Sequence, residues 1–313
     1  NLLSNSLGAS LTKDDKVLIT MLEHHSNIVP WQMACQRTGA ELLAVDIDEH
    51  GNLDWTDLQN KLTQDVKIFA FNHVSNALGT VNPVERMIKA AQDVGAVTVV
   101  DGAQAALHQP LDLKRLGCDF YVFSGHKLYG PTGIGVLYGK YDLLCEMEPW
   151  QGGGEMIESV SISGSTYQKP PHKFEAGTPA IGEAVGMGAA IRYLQAVGLE
   201  AIQAWEAQLT RHLFNRLQAI DGVRVLGPTP DQQPERGALA TFLVDGVHAN
   251  DIAALIDASG ICIRSGHHCC QPLHRMYNVT ASARASLSFT STFEEIDRFS
   301  EELASTVTFL REH

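Results

Sequence analysis

The chain has 313 residues and is 44% hydrophobic, enough for one large or two moderate domains with cores of their own and too apolar for a disordered protein. Its 36 acidic against 23 basic residues give a formal charge of −13, which repels phosphate backbones and anionic lipid, so neither nucleic acid nor a membrane is an expected partner. No apolar run reaches the roughly 20 residues of a membrane-spanning helix, and the six scattered cysteines (Cys35, Cys118, Cys145, Cys262, Cys269 and Cys270) are too sparse for a disulfide framework.

The opening residues "NLLSNSLGASLTKDDK" lack the pattern of a signal peptide, and the protein is expected to be soluble and intracellular. From residue 17 to about 140, short apolar runs alternate with helical patterns: "KVLIT", "NIVPWQMACQRTG", "ELLAVDI", "DWTDLQNKL", "KIFAFNHV", "VERMIKAAQDVG", "AVTVVDGA" and "DFYVFSGHK". Such alternation predicts a mostly parallel sheet with helices on both faces, whose ligands sit beyond the carboxyl ends of the strands. Three polar clusters fall at those ends: "EHHSN" at 23–27, "DGAQ" at 101–104 and "SGHK" at 124–127.

Residues 150–181 are rich in Gly, Ser and Pro without a period and read as a long ordered loop. Two helical stretches follow, and the break near Gly198 divides a large domain, residues 1–197, from a smaller one, residues 198–313. In the second, the strand-like runs "RVLG", "ALATFLVDGV", "ICIRSG" and "ARASLSF" with helices between them predict an α+β unit.

Lys127 closes an apolar strand and opens a Gly-rich turn, a setting in which a partly desolvated amine becomes a nucleophile. Asp101 ends "AVTVV", where a carboxylate needs a cationic partner, although "DGAQAAL" also reads as a helix N-cap with Gln104 in its box. His24 and His25 follow "VLITMLE", and a flat imidazole there can stack on a flat ring. Together Lys127, Asp101 and His24 resemble the site of a fold-type I enzyme that uses pyridoxal 5′-phosphate. "SGHK" and the 26-residue step from Asp101 to Lys127 resemble the class V aminotransferase group in particular.

"RSGHHCCQPLH" at 264–274 invites a zinc reading, but adjacent ligands in "HHCC" cannot all reach one tetrahedral ion, so no metal is expected. A reactive thiol is the alternative, with His267 and His268 expected to favour the thiolate. The motif is similar to the R-x-G-H-H-C-x-Q-P block of group II cysteine desulfurases, the SufS and CsdA type. "EHHSNIVPW", "DGAQAALH", "SGHKLYGPTGIGVLYGK" and "FEAGTP" resemble that group's other blocks. The likeness runs from about residue 17 to the C-terminus. The family's upstream segment, roughly a hundred residues with a Gly-Thr-Thr-Glu phosphate contact, is expected to precede residue 1.

The resemblance implies a mostly parallel sheet of the seven-stranded type in the large domain and a catalytic-cysteine loop in the small one. It implies Lys127 as the Schiff-base lysine, Asp101 as partner of the pyridine nitrogen, Gln104 as donor to the phenolic oxygen and His24 as the ring-stacking residue. Ser124 and His126 match phosphate contacts, and Thr178 matches one reached from the other subunit of a homodimer. Asn76, Arg264 and Arg284 match residues at the substrate carboxylate, and Cys269 matches the thiol that takes up sulfur. Cys270, at the variable position, is expected to be able to exchange with a persulfide.

The implied activity is desulfuration of L-cysteine to L-alanine, for iron–sulfur cluster assembly, with a SufE- or SufU-like protein as sulfur acceptor. L-selenocysteine is a further candidate substrate. The implied compartment is the cytoplasm, or the plastid stroma in a eukaryote. A selenocysteine lyase or another class V aminotransferase would share Lys127 and Asp101 without needing Cys269, and a noncatalytic scaffold subunit would need none of them.

Overall fold

The apolar runs of the first 140 residues become six strands: β1 (Lys16–Thr20), β2 (Glu41–Val45), β3 (Val66–Asn72), β4 (Val97–Asp101), β5 (Phe120–Ser124) and β6 (Gly135–Gly139). The structure is a computed structural model that describes residues 1–312. The strands lie in the order β2-β1-β3-β4-β5-β6, all parallel except β6, which runs antiparallel to β5. Helices α1 (Leu2–Ser6), α2 (Val29–Thr38), α3 (Trp55–Lys61), α4 (Val84–Val94), α5 (Leu113–Leu116) and α6 (Tyr141–Glu146) accompany them.

Alternation along each strand divides the core into two layers. Leu18, Phe69, Phe71 and Tyr121 pack with Met87 and Ile88 of α4 on one face. Val17, Ile19, Ile68 and Ala70 pack with Trp31 and Cys35 of α2 on the other. Because β1, β3, β4 and β5 run parallel, their carboxyl ends share one edge, where the three polar clusters meet.

Among the described residues the sheet has six strands, where the family pattern with its upstream segment implied the seven-stranded type. After β6 the chain enters α6, and the next strands, β7 (Ile157–Ser161) and β8 (Gly164–Tyr167), pair only with each other. That hairpin lies inside the segment expected to be a loop. Its residues are mostly exposed, so no apolar alternation marks them.

Helices α7 (Ile181–Val197) and α8 (Leu199–Gln218) meet at Gly198, whose φ of 96° lies where a side chain would be strained. The first packs on the turn that carries Lys127, the second on the far sheet. That sheet is antiparallel throughout, in the order β11 (Arg264–Gly266), β12 (Ser282–Ser286), β10 (Leu239–Val244), β9 (Val223–Leu226). Helices α9 (Ala249–Asp257), α10 (Gln271–Met276) and α11 (Phe293–Glu312) complete the chain. Leu213, Phe214 and Leu217 of α8, Phe242 of β10 and Phe299 and Leu303 of α11 form its separate core. No helix among the described residues is long and apolar enough to cross a membrane.

Candidate active site

Parallel pairing of β4 with β5 sets Asp101 opposite Val122, so the carboxylate and the end of β5 at Ser124 share one rim. Beyond Ser124 a 3-10 turn over Gly125–Leu128 carries Lys127. A Cβ at Gly125 would come 2.8 Å from Ile134 Cγ2, so only glycine lets the turn press this closely against the chain entering β6. Lys127 is half-buried and forms no hydrogen bond or ion pair among the described residues. Burial lowers its pKa, Asp101 opposes that shift, and Arg284 and Arg264 add to it, which favours the free amine.

His24, Asn76, Asp101, Gln104, Ser124, His126, Lys127, Arg264 and Arg284 line one cavity of about 470 Å³. His24 caps the turn over His25–Asn27, and its Nδ1 accepts from the Ser26 backbone amide at 3.1 Å, so the neutral ring carries its proton on Nε2. Burial, then the charge of Lys127, lowers its pKa and keeps the ring neutral. Asp101 Oδ1 accepts from the Ala103 amide at 2.9 Å, and among the described residues no cation pairs with the carboxylate. Among the described residues neither the Gln104 amide nor the Ser124 hydroxyl has a hydrogen-bond partner, and Ser124 caps no turn with its side chain.

An uncommitted amine and an uncommitted carboxylate on one cavity fit an aromatic aldehyde with a basic ring nitrogen. The free Ser124 hydroxyl and exposed His126 at the start of the turn fit its phosphate. Thr178 is exposed and lies outside the cavity of its own chain.

Beneath the rim lies Glu23, which the sequence reading passed over although it begins "EHHSN". It is fully buried and accepts from Thr20 Oγ1 at 2.6 Å, Asn27 Nδ2 at 2.7 Å and the Asn72 amide at 3.0 Å. Burial raises its pKa to about 8 against the pull of those three donors. They tie β1, β3 and the His24 turn together.

The cysteine loop follows β11. Gly266 has φ 113°, and His268 and Cys269 follow at 51° and 59°, two successive side-chain-bearing residues in the left-handed region. Each costs about 1–2 kcal/mol unless its surroundings hold it there. The Cys269 carbonyl accepts from the His25 amide at 2.7 Å, and the His268 carbonyl accepts from Asn76 Nδ2 at 2.7 Å. Arg264 Nη2 donates to Cys269 Sγ at 3.2 Å, joining the half-buried thiol to a residue of the cavity wall.

Two expectations about this loop are corrected. His268 is buried, and burial followed by the charge of Arg284 pushes its pKa down to about 3, so it is neutral and offers no cation to a thiolate. The charged group hydrogen-bonded to the Cys269 sulfur is the guanidinium of Arg264. Cys270 is also buried, its thiol donates to Asn76 Oδ1 at 3.2 Å, and burial raises its pKa to about 12. A protonated thiol turned into the core does not exchange with a persulfide on Cys269.

Arg284 sits opposite Arg264 in the β11–β12 register and donates through Nη1 to the Asn76 carbonyl at 2.7 Å. Burial, then Arg264, lowers its pKa. Two guanidiniums side by side on one cavity wall, with no acid among the described residues paired to either, suit a carboxylate. Among the described residues no three His, Cys, Asp or Glu side chains are grouped to hold a metal ion.

The family model described as Aminotransferase class-V matches residues 1–299. A probable cysteine desulfurase of Xylella fastidiosa is 48% identical over 289 residues, 92% of this chain and 68% of that protein. The solved structure of the cysteine desulfurase CsdA of Escherichia coli superposes with a TM-score of 0.93 at 36% identity, over 98% of this chain and 76% of that one. A solved mutant of C-DES, with glycine covalently linked to the PLP cofactor, superposes with a TM-score of 0.82 at 25% identity, covering 97% of this chain and 77% of that one.

Proposed function

The chain belongs to the class V aminotransferase family, and on that premise we propose that it is a cysteine desulfurase dependent on pyridoxal 5′-phosphate, releasing L-alanine and keeping the sulfur as a persulfide on Cys269. The contact between Arg264 and Cys269 carries the reading, because it ties the thiol to the wall of the cavity that holds Lys127 and Asp101. A selenocysteine lyase or a transaminase does not strictly require that contact.

Lys127, Asp101, Gln104, His24, Ser124 and His126 would hold the cofactor. When bound, pyridoxal phosphate withdraws electrons from the substrate's Cα and stabilises the charge that deprotonation leaves there. Arg284 and Arg264 hold the cysteine carboxylate, which fixes Cα near Lys127. The Lys127 amine, kept partly unprotonated by burial, takes the Cα proton. The Cys269 thiolate then attacks the substrate sulfur. Its electron pair forms the S–S bond, the C–S pair stays with carbon, a proton delivered there completes the methyl group, and Lys127 returns the proton to Cα to give alanine.

The finer reading includes a homodimer in which Thr178 reaches the partner's cofactor, a small SufE- or SufU-like acceptor protein for the persulfide, and a role in iron–sulfur cluster assembly. Exposure of Thr178 away from its own cavity supports the first. All six cysteines are free, which supports the cytoplasm or another reducing compartment.

Cys269→Ser is expected to retain the visible absorbance of lysine-bound cofactor and to lose alanine release from L-cysteine. Continued alanine release would reassign the nucleophile. Lys127→Ala is expected to remove the absorbance band, and its persistence would reject the cofactor's attachment.

A further inference from the structure

Beside Cys269 lies a ring that the proposed chemistry does not use. His268 is 1% exposed and ends a chain of polar groups whose hydrogens follow from elementary chemistry. The Cys270 carbonyl can only accept, so His274 Nδ1, 3.0 Å away, carries a proton. His274 is itself buried, and burial lowers its pKa, which leaves the ring neutral and Nε2 bare. That nitrogen accepts the Ser282 hydroxyl at 2.8 Å, and the Ser282 oxygen accepts from His268 Nε2 at 3.0 Å. His268 is therefore the tautomer protonated on Nε2, and its Nδ1 is a buried lone pair with no partner.

The backbone gives an independent observation. His268 and Cys269 stand successively in the left-handed region, at φ 51° and 59°, where neither side chain is at ease. Carbonyl anchors from Asn76 and His25 restrain the peptide planes of the turn. Only the ring socket restrains residue 268 through its side chain.

We infer that His268 is a positioning residue for Cys269: its neutral ring, locked through Ser282 and His274 onto the start of α10, keeps the 268–269 turn left-handed and the thiol turned towards Arg264. The inference rests on Cys269 being the sulfur acceptor. A histidine motif that suggests a base or a metal ligand is here a structural lock one residue from the reacting sulfur.

Two rates on the holoenzyme test it: iodoacetamide alkylation of Cys269, followed by mass spectrometry of the peptide containing it, and steady-state alanine release. His268→Ala is expected to slow both about tenfold, with KM for cysteine unchanged within about twofold and the absorbance of lysine-bound cofactor intact. His268→Asn keeps an N–H donor and tolerates left-handed backbone, so it is expected to recover most of the loss. Ser282→Ala, which cuts the relay outside the turn, is expected to move both rates in the same direction as His268→Ala. Wild-type rates in His268→Ala overturn the inference, and so does loss of the cofactor band, which would make His268 a residue of the fold at large. Alanine release by Cys269→Ser would instead remove the nucleophile reading, whatever His268→Ala does.

Discussion

Cys269 and Cys270 share a peptide bond and little else. The first is half-buried with a guanidinium on its sulfur; the second is a core thiol that donates to Asn76. Cys270→Ala is therefore expected to release alanine within about twofold of the parent rate and to lose about 1–2 kcal/mol of stability in denaturant unfolding. A large fall in alanine release at unchanged stability would return Cys270 to the chemistry. Lys127 shows the same principle in its protonation. Its folded pKa is lowered by burial, so between that value and the ordinary 10.5 the unfolded chain binds the extra proton, and stability rises with pH through the window. Cofactor-free Lys127→Met is accordingly expected to melt above the parent near neutral pH, with the gain fading as pH approaches 10.5. A gain that grew with pH would contradict the sign.

Elements whose burial is written in their residues were legible. β1, β3 and β4 are near-continuous apolar runs because both sheet faces are covered, and β1 and β4 each ended in a polar cluster that reaches the cavity. β6, "GVLYG", was not expected as a strand, since glycines bound it and it closes the edge antiparallel to β5. The β7–β8 hairpin was missed for the opposite reason: nothing packs on it to impose a pattern. At the β4 exit the element depends on one missing side chain. A Cβ at Gly102 would lie 1.9 Å from Tyr121 Cε1, and the Tyr121 hydroxyl is held by His73 Nδ1 at 2.9 Å, so the ring cannot retreat. Gly102→Ala is expected to cost about 3 kcal/mol in denaturant unfolding and to weaken cofactor retention by displacing Asp101 and Gln104 on either side. An unchanged unfolding midpoint would mean that the strand exit yields more easily than this packing allows.

Across the whole molecule, the sequence named most of the polar residues of the cavity wall but not what those residues do to one another. Arg264 was expected at the substrate carboxylate and also grips Cys269. Asn76, expected at the same carboxylate, donates to His268 and accepts from Cys270, from the other end of the chain. Such couplings are set by how β11 and α10 dock on the strand ends, and no periodicity records that. Docking also bears on assembly. Along α7, Ile181, Val185, Tyr193 and Val197 are 61%, 68%, 57% and 39% exposed, an apolar row at helical spacing that a lone soluble chain seldom leaves bare. Thr178 stands just before that helix, exposed and outside the lining of its own cavity. If a second copy covers the row, Thr178 is carried towards the partner's cofactor, and assembly and cofactor retention are linked. Val185→Glu places a charge in the middle of the row while leaving both cores untouched. Sedimentation is expected to show the parent at twice the mass of one chain and Val185→Glu at the mass of one, with faster cofactor loss on dilution. A parent protein that sediments as a single chain while holding its cofactor would separate the two and leave the α7 row to some other partner.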